Sequence, residues 1–425
     1  MSMTITEKIL ARQSGKSSVR PGDIVFVQVE TCVVLDSHFR TNGGWRWPKR
    51  IYDPSKVVAI ADHLPMSSNV DNAIGLQTCR QFVRHFGVDR FHDAGADQGI
   101  SHQVIADKAY ALPGTVLVCT DSHTLSGGAF NCCARGVGRP EITQVLCYGE
   151  TWFRVGPTVR YELSGALPNG VSAKDAFLYL AGRWGSHENQ NIEFGGPGMR
   201  GIGLNARRTL STMCAEVSAE FALWEPDDSL IEYIAGRTDR LFHPTWPDAG
   251  AEYVDVRQID LSSLVPYVSG IDTVVHNTMP LDAFGESVRL DQCVIGSCAN
   301  GTLEDLIAAA EILRGRVVAP WVRFIVTPGS MEIYRRAAEL GILATIAASG
   351  ALITPSACGA CGAHDFGALG PGEVCLTATT RNYKGRMGHP DAKIYLASPA
   401  TVAASAVAGY ITHPGQLEPL GAAST

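Results

Sequence analysis

Short apolar runs rich in β-branched residues alternate along this chain with longer stretches that repeat at the helical period. Ile24–Gln28, Val57–Ala61, Thr115–Thr120, Cys293–Gly296, Val322–Thr327, Val374–Thr377 and Lys393–Ala397 have the length and composition of strands. Val70–Phe86, Ser172–Trp184, Thr302–Leu313 and Pro399–Ala408 have the spacing and length of helices. This alternation predicts an α/β protein built in layers. Breaks rich in Gly and Pro near Gly156-Pro157 and around Asp260–Gly270 divide the chain into three expected domains, 1–157, 158–262 and 263–425.

Several segments share one layout, in which a strand runs into a cluster of polar or reactive residues and then into a helix. Ligands of open α/β sheets bind at such junctions, beyond the carboxyl ends of the strands. Four junctions carry candidate chemistry: Ala61-Asp62-His63, Thr120-Asp121-Ser122-His123, Gly296-Ser297-Cys298-Ala299-Asn300 and Thr380-Arg381-Asn382.

Bulk properties narrow the setting. A length of 425 residues suffices for two or three domains with real cores. The net charge of −7 provides no basic field for nucleic acid or an anionic membrane, so neither is an expected partner. A small anionic substrate would need local cations against that background. Met1–Lys16 reads as polar and mixed in charge, without the apolar core of a signal peptide, and no stretch reaches the roughly 20 apolar residues of a membrane span. The expected location is the cytoplasm. There, the 12 cysteines serve as thiols or metal ligands and not as a disulfide framework. Cys79, Cys132, Cys133, Cys147, Cys214 and Cys375 sit among apolar or small residues and read as packing.

Three other cysteines have a different context. Cys298 ends an apolar run and precedes a helix near Thr302, where Asp305 can complete a capping box. Cys358 and Cys361 stand at C-x-x-C spacing in the Gly-rich Ser356–Gly362 segment. Spacing alone leaves three readings open: an iron–sulfur cluster, a redox pair, or a zinc site in which His364 completes a Cys3His set. A set of three cysteines suits chemistry better than electron transfer, because a fourth iron without a cysteine stays open as a Lewis acid.

The acid–base candidates are imidazoles beside carboxylates. Asp62-His63 and Asp121-Ser122-His123 both follow strand ends, and a neighbouring carboxylate raises an imidazole pKa and fixes its tautomer. His102 precedes a helical stretch. Any one of these histidines also reads as a satisfied structural residue; two Asp–His pairs at separate strand ends favour function. Arg381 and Arg386 can grip carboxylates in bidentate fashion, the alternative being a solvated basic loop. Gly196-Pro197-Gly198 lacks the Lys-Ser/Thr of a phosphate loop and is set aside.

Taken in order, these pieces resemble the aconitase superfamily, and within it the large subunits of 3-isopropylmalate dehydratase and homoaconitase-type hydro-lyases. The matching motifs are Ala61-Asp62-His63, Gly99-Ile100-Ser101-His102-Gln103, Cys119-Thr120-Asp121-Ser122-His123-Thr124 and Gly127-Gly128-Ala129-Phe130, then Ile295–Asn300, Ala357–Gly362, Arg381–Arg386 and Ala397-Ser398-Pro399. The resemblance spans nearly the whole chain. It implies three layered α/β/α domains around a shared cluster site, in which Cys298, Cys358 and Cys361 ligate one 4Fe–4S cluster with an open fourth iron. It also implies that Asp62, His63, His102, Asp121, His123 and Glu216 fall on acid–base positions and that Ser122 lies beside the substrate. Arg381 and Arg386 would hold substrate carboxylate, with Thr31, Thr212 and Thr380 on further substrate-side positions.

In that family the catalytic base is a serine next to an arginine, in a glycine-rich Ser-Ser-Arg motif on a fourth, swivelling domain. This sequence contains no such motif. The swivelling domain is therefore expected on a separate small subunit, and the chain alone is expected to bind a cluster but turn over poorly or not at all. The implied substrate is a small hydroxy-polycarboxylate of the isopropylmalate, dimethylmalate or homocitrate type. Thr212 and Thr380 stand where relatives commonly carry Asn, only Thr31 of Gln28-Val29-Glu30-Thr31 matches the usual start, and Gly43–Pro48 is unusual. These departures point to a substrate other than 3-isopropylmalate. Two rival classes are a cluster sensor that binds RNA, disfavoured by the acidic charge, and a zinc-binding protein.

Overall fold

A computed structural model of the chain describes residues 2–40, 45–363 and 365–417. It separates into two compact units, Met1–Ala166 with Ser186–Ser262, and Leu167–Gly185 with Ser263–Thr425.

The first unit contains a five-stranded sheet in the spatial order Arg90–His92, Val57–Ile60, Thr31–Leu35, Val116–Cys119, Cys133–Gly136, with every neighbouring pair parallel. Its three central strands are buried at every residue. This explains why they read as continuous apolar runs, since a sheet covered on both faces has no polar side. Leu35 pairs with Ile60 and Val33 with Cys119. That register brings the residues following these strands, Asp36, Asp62 and Asp121, out along one edge.

A second parallel sheet in this unit runs in the order Ala222–Trp224, Asn191–Gly195, Thr158–Ser164, Asp255–Asp260. Ile24–Gln28 and Glu150–Arg154 form a separate antiparallel ribbon, and Ile24–Gln28 alternates exposed and buried along its length. Helix Val70–Phe86 starts on the Asn69 cap, ends at Gly87 with φ 64°, and buries Leu76, Cys79, Phe82 and Val83. The N-terminal stretch, which reads as polar in sequence, forms helix Ile5–Gln13 with a Thr4–Glu7 capping box and buries Ile5, Ile9 and Leu10 in the core. Its charged residues interrupt the apolar face often enough to hide the period.

The second unit has a five-stranded parallel sheet in the order Leu352–Ile353, Arg323–Val326, Gln292–Ile295, Val374–Thr377, Lys393–Leu396. Helices Leu303–Leu313 and Pro399–Ala408 bury Leu306, Ala310, Leu313, Val402 and Ala406 in its core. Helix Ala173–Trp184 joins this unit although it precedes most of it in sequence: Asp175 accepts from the Tyr267 amide at 2.9 Å, and Thr278 Oγ1 donates to the Leu178 carbonyl at 2.6 Å. We retain the partition 1–157, 158–262 and 263–425 as a proposal, since each stretch carries one parallel sheet. Among the described residues no helix is long and apolar enough to cross a membrane.

Candidate active site and candidate cluster-binding site

Three carboxylates leave the first sheet at its C-terminal edge. Asp62 Oδ1 lies 2.6 Å from His63 Nδ1, and its Oδ2 accepts from the amide of Ser101, the first residue of helix Ser101–Asp107. Burial works against the Asp62 carboxylate, but the His63 charge and the hydrogen bonds from His63 and Ser101 outweigh it and hold the group below its ordinary range. Burial likewise opposes a charged His63, yet Asp62, Asp36 and Asp121 together carry it up to about 10. Asp36, which the sequence reading does not single out, is fully buried beneath this pair. It accepts from the amides of Ser37, His63 and Leu64, and burial with the adjacent Asp62 charge pushes it up to about 7.

The second group centres on Asp121, the cap of the turn Ser122–Phe130. Its Oδ1 accepts from the His123 amide at 2.7 Å and lies 2.9 Å from His102 Nε2. Burial disfavours its charge, but the hydrogen bonds and charges of His102 and His123 hold it well below the usual carboxylate range. The other His102 nitrogen is 3.3 Å from Ser126 Oγ. His123 Nε2 meets Glu216 Oε1 at 2.7 Å, from the turn Cys214–Val217 that ends helix Leu204–Met213. Ser122 is exposed beside them. Gly128 makes the close packing feasible, because a Cβ there would stand 1.8 Å from the Ala222 carbonyl oxygen.

Of the sequence candidates in this unit, the structure brings Asp62, His63, His102, Asp121, Ser122, His123 and Glu216 to this edge through these contacts. Thr212 is one turn before Glu216, but its hydroxyl donates to the Arg208 carbonyl at 2.6 Å within its own helix. Arg208, also outside the sequence reading, is buried and donates to Gln103 at 2.7 Å, tying this helix to the residue after His102. Thr31 lies elsewhere. It opens its strand at the opposite end of the sheet, fully buried, with its hydroxyl on the Tyr110 carbonyl. The acidic residue that this strand sends to the edge is Asp36, at the C-terminal end. Gly43 and Gly44 lie outside the described residues, while Trp45 and Trp47 pack against Phe82.

In the second unit, strand Gln292–Ile295 runs into Gly296 (φ 137°) and Ser297 (φ 67°), a turn that only a residue without Cβ can open, since one on Gly296 would sit 2.6 Å from the Thr327 carbonyl oxygen. Cys298 follows, buried, ahead of helix Leu303–Leu313 with its Thr302–Asp305 capping box. Cys358 and Cys361, also buried, bracket the turn at Gly359. A hydrogen bond with Cys361, burial, and the charges of Cys361 and Cys298 drive the Cys358 thiol well above its ordinary value; Arg386 opposes the shift.

Arg386 Nη2 donates to Cys361 Sγ at 3.4 Å, and Thr380 Oγ1 stands 3.7 Å from the same sulfur. Burial works against the guanidinium, but Cys361 and Cys358 hold its pKa above the ordinary arginine value. Arg386 Nε and Ser297 Oγ are buried with no hydrogen-bond partner among the described residues. Three buried thiols flanked by spare donors fit an anionic, sulfur-rich group. Arg381 is half-buried after strand Val374–Thr377. His364, the fourth ligand of the zinc alternative, lies outside the described residues.

Known proteins resemble this chain along nearly its whole length. The profile of the aconitase family (aconitate hydratase) matches residues 51–409. The chain is 52% identical over 412 residues to the 3-isopropylmalate dehydratase large subunit of Mycolicibacterium smegmatis, covering 97% of each chain. It is 38% identical over 427 residues to a probable 3-isopropylmalate dehydratase large subunit of Methanothermobacter thermautotrophicus, covering 98% of this chain and 100% of that one. A probable methanogen homoaconitase large subunit of the same organism is 37% identical over 424 residues, covering 97% and 98%.

Proposed function

Since the chain belongs to the aconitase family, a family of hydro-lyases, we propose that it is the large subunit of an iron–sulfur dehydratase acting on a small 2-hydroxy di- or tricarboxylate. The observation that carries this reading is the gathering of Cys298, Cys358 and Cys361 in one unit with the Arg386 guanidinium on one sulfur. These three thiolates would hold a 4Fe–4S cluster and leave one iron without a cysteine. When bound, that iron supplies a Lewis acid for the substrate hydroxyl.

The chain's own residues are assigned the rest of the elimination. Hydroxide is a poor leaving group and needs a proton as it departs. The pairs Asp62–His63, His102–Asp121 and His123–Glu216 are the proposed source of that proton and the groups that orient water in the reverse direction, with Ser122 beside the substrate. Arg381 and Arg386 would bind carboxylate and hold fixed positive charge where negative charge develops as the carbon-bound proton leaves. Removal of that proton is assigned to a serine beside an arginine on a separate small subunit, a partner supported by the names of the relatives as large subunits. A cytoplasmic setting, where thiols stay reduced, suits the cysteine set.

The substrate is proposed as isopropylmalate, dimethylmalate or homocitrate in type. Identities of 38% and 37% to dehydratase and homoaconitase subunits do not separate these, while the 52% relative puts 3-isopropylmalate first in any panel. Thr212 and Thr380, in place of Asn, argue for testing the alternatives as well. Anaerobic reconstitution of the purified chain is the first experiment, read by visible absorption, electron paramagnetic resonance and iron and sulfide content. Uptake of about four irons and four sulfides is expected. A colourless protein that takes up zinc instead would overturn the cluster reading. Turnover of the malate panel should appear only when the cognate small subunit is added, and turnover by the chain alone would remove that partner from the proposal.

A further inference from the structure

Lys174 is the second residue of helix Ala173–Trp184 and is fully buried. Both facts run against physical expectation. A cation at a helix N-terminus meets the positive end of the macrodipole, and an ammonium withdrawn from water is costly unless hydrogen bonds replace its hydration. Here the replacement is specific. Nζ donates to the Thr379 carbonyl at 2.6 Å and to the Ala378 carbonyl at 3.2 Å. These carbonyls follow strand Val374–Thr377 and directly precede Thr380, whose hydroxyl is 3.7 Å from Cys361 Sγ, and then Arg381. The neighbouring Asp175 carboxylate, also fully buried, interacts electrostatically with this ammonium, so the local charge is balanced within the helix start while the two carbonyl bonds fix the backbone that leads to Thr380.

We propose that Lys174 is a positioning residue for the cysteine site: it pins the Ala378–Thr379 backbone and so keeps Thr380 against Cys361. This rests on the cluster reading above. The test uses the full chain reconstituted anaerobically as wild type, Lys174→Met, Lys174→Arg, Thr380→Val and the Lys174→Met/Thr380→Val double variant. Bleaching by an iron chelator is timed for each, well below the melting temperature of its apo form.

Lys174→Met and Thr380→Val should each bleach at least about fivefold faster than wild type, and the double variant no faster than the quicker single one, as for two residues acting through one contact. Lys174→Arg, which keeps the charge, should return toward the wild-type rate. Multiplied effects in the double variant, or Lys174→Met at the wild-type rate, would overturn the assignment. Should Lys174→Met give no cooperative melt, Lys174→Arg decides: a rate near wild type supports the role, and a rate matching Thr380→Val removes it. A wild-type chain that takes up no iron and sulfide defeats the cluster reading itself, a failure distinct from that of any variant.

Discussion

His123 Nε2 lies 2.7 Å from Glu216 Oε1 across a sequence separation of 93 residues, while Asp121 Oδ1 stands 3.4 Å from the other ring nitrogen. An imidazole held between two carboxylates has its orientation fixed and its proton poised for transfer. Glu216→Gln keeps the shape and removes the charge. Its kcat in the reconstituted complex with the small subunit is expected to fall by about 10²–10⁴, with KM changing far less. An unchanged kcat would leave Glu216 a structural role only.

The Asp36–Asp62–His63 set predicts a pH dependence of stability. His63 rises from an ordinary 6.5 to about 10, so the folded chain keeps a proton that the unfolded chain releases. The stabilisation is complete below the lower value and is lost as pH climbs to the upper one. Asp36, raised from 3.8 to about 7, has the same sign in a lower window: its ionisation withdraws stability as pH rises through that range. The apo chain should therefore lose melting temperature between neutral pH and pH ~10, by about 3–8 °C, and Asp62→Asn should flatten that slope. Calorimetry at constant ionic strength reads both, and equal slopes would contradict the assigned pairing.

Arg386 faces Cys361 and is assigned to substrate carboxylate. Lysine keeps the charge but not the planar fork, so Arg386→Lys should raise KM by about 10- to 100-fold, the worth of a charged hydrogen bond. Steady-state kinetics on the complex provide the check. A KM within twofold of wild type would place the carboxylate elsewhere.

Gly296→Ala should displace the turn that presents Cys298. The φ of 137° and the 2.6 Å approach to the Thr327 carbonyl leave a methyl nowhere to go. A cost of about 1–3 kcal/mol and loss of stoichiometric iron uptake are expected, measured by denaturant melts and iron content. Normal uptake would mean that the turn can reopen around the methyl.

Thr31→Val provides the opposite case. Its hydroxyl serves the Tyr110 carbonyl at the far end of the sheet from Asp36, Asp62 and Asp121. It should cost about 1 kcal/mol of stability and leave kcat and KM unchanged. A large KM effect would return Thr31 to the substrate side.

Much of the fold is legible in the sequence because buried parallel strands announce themselves as apolar runs. Helix Val70–Phe86 has the bounds its spacing predicts, and the run Thr115–Thr120 contracts to strand Val116–Cys119, where its ends turn away from the ladder. Helix Ile5–Gln13 escapes a reading by period because its charges break the apolar face, although Thr4 and Glu7 stand at capping-box spacing. Asp36 escapes for another reason. A lone acid after a strand is unremarkable until the register aligns that strand end with those preceding Asp62 and Asp121. Glu216 is reached only through resemblance, because nothing local marks a carboxylate whose partner lies so far away in sequence. Lys174 reads as one more helical position, since burial of a charge is a tertiary property that local spacing does not carry.

Helix Ala173–Trp184 also has a consequence for synthesis. It leaves the ribosome before Ser186–Ser262, yet the residues it bonds with, Tyr267 through its amide and Thr278 through its hydroxyl, come afterwards. At ordinary translation speed the nascent helix waits on the order of ten seconds with its apolar side uncovered. Slow elongation across that interval, or a shortage of chaperone, should therefore cost yield at the second unit before the first.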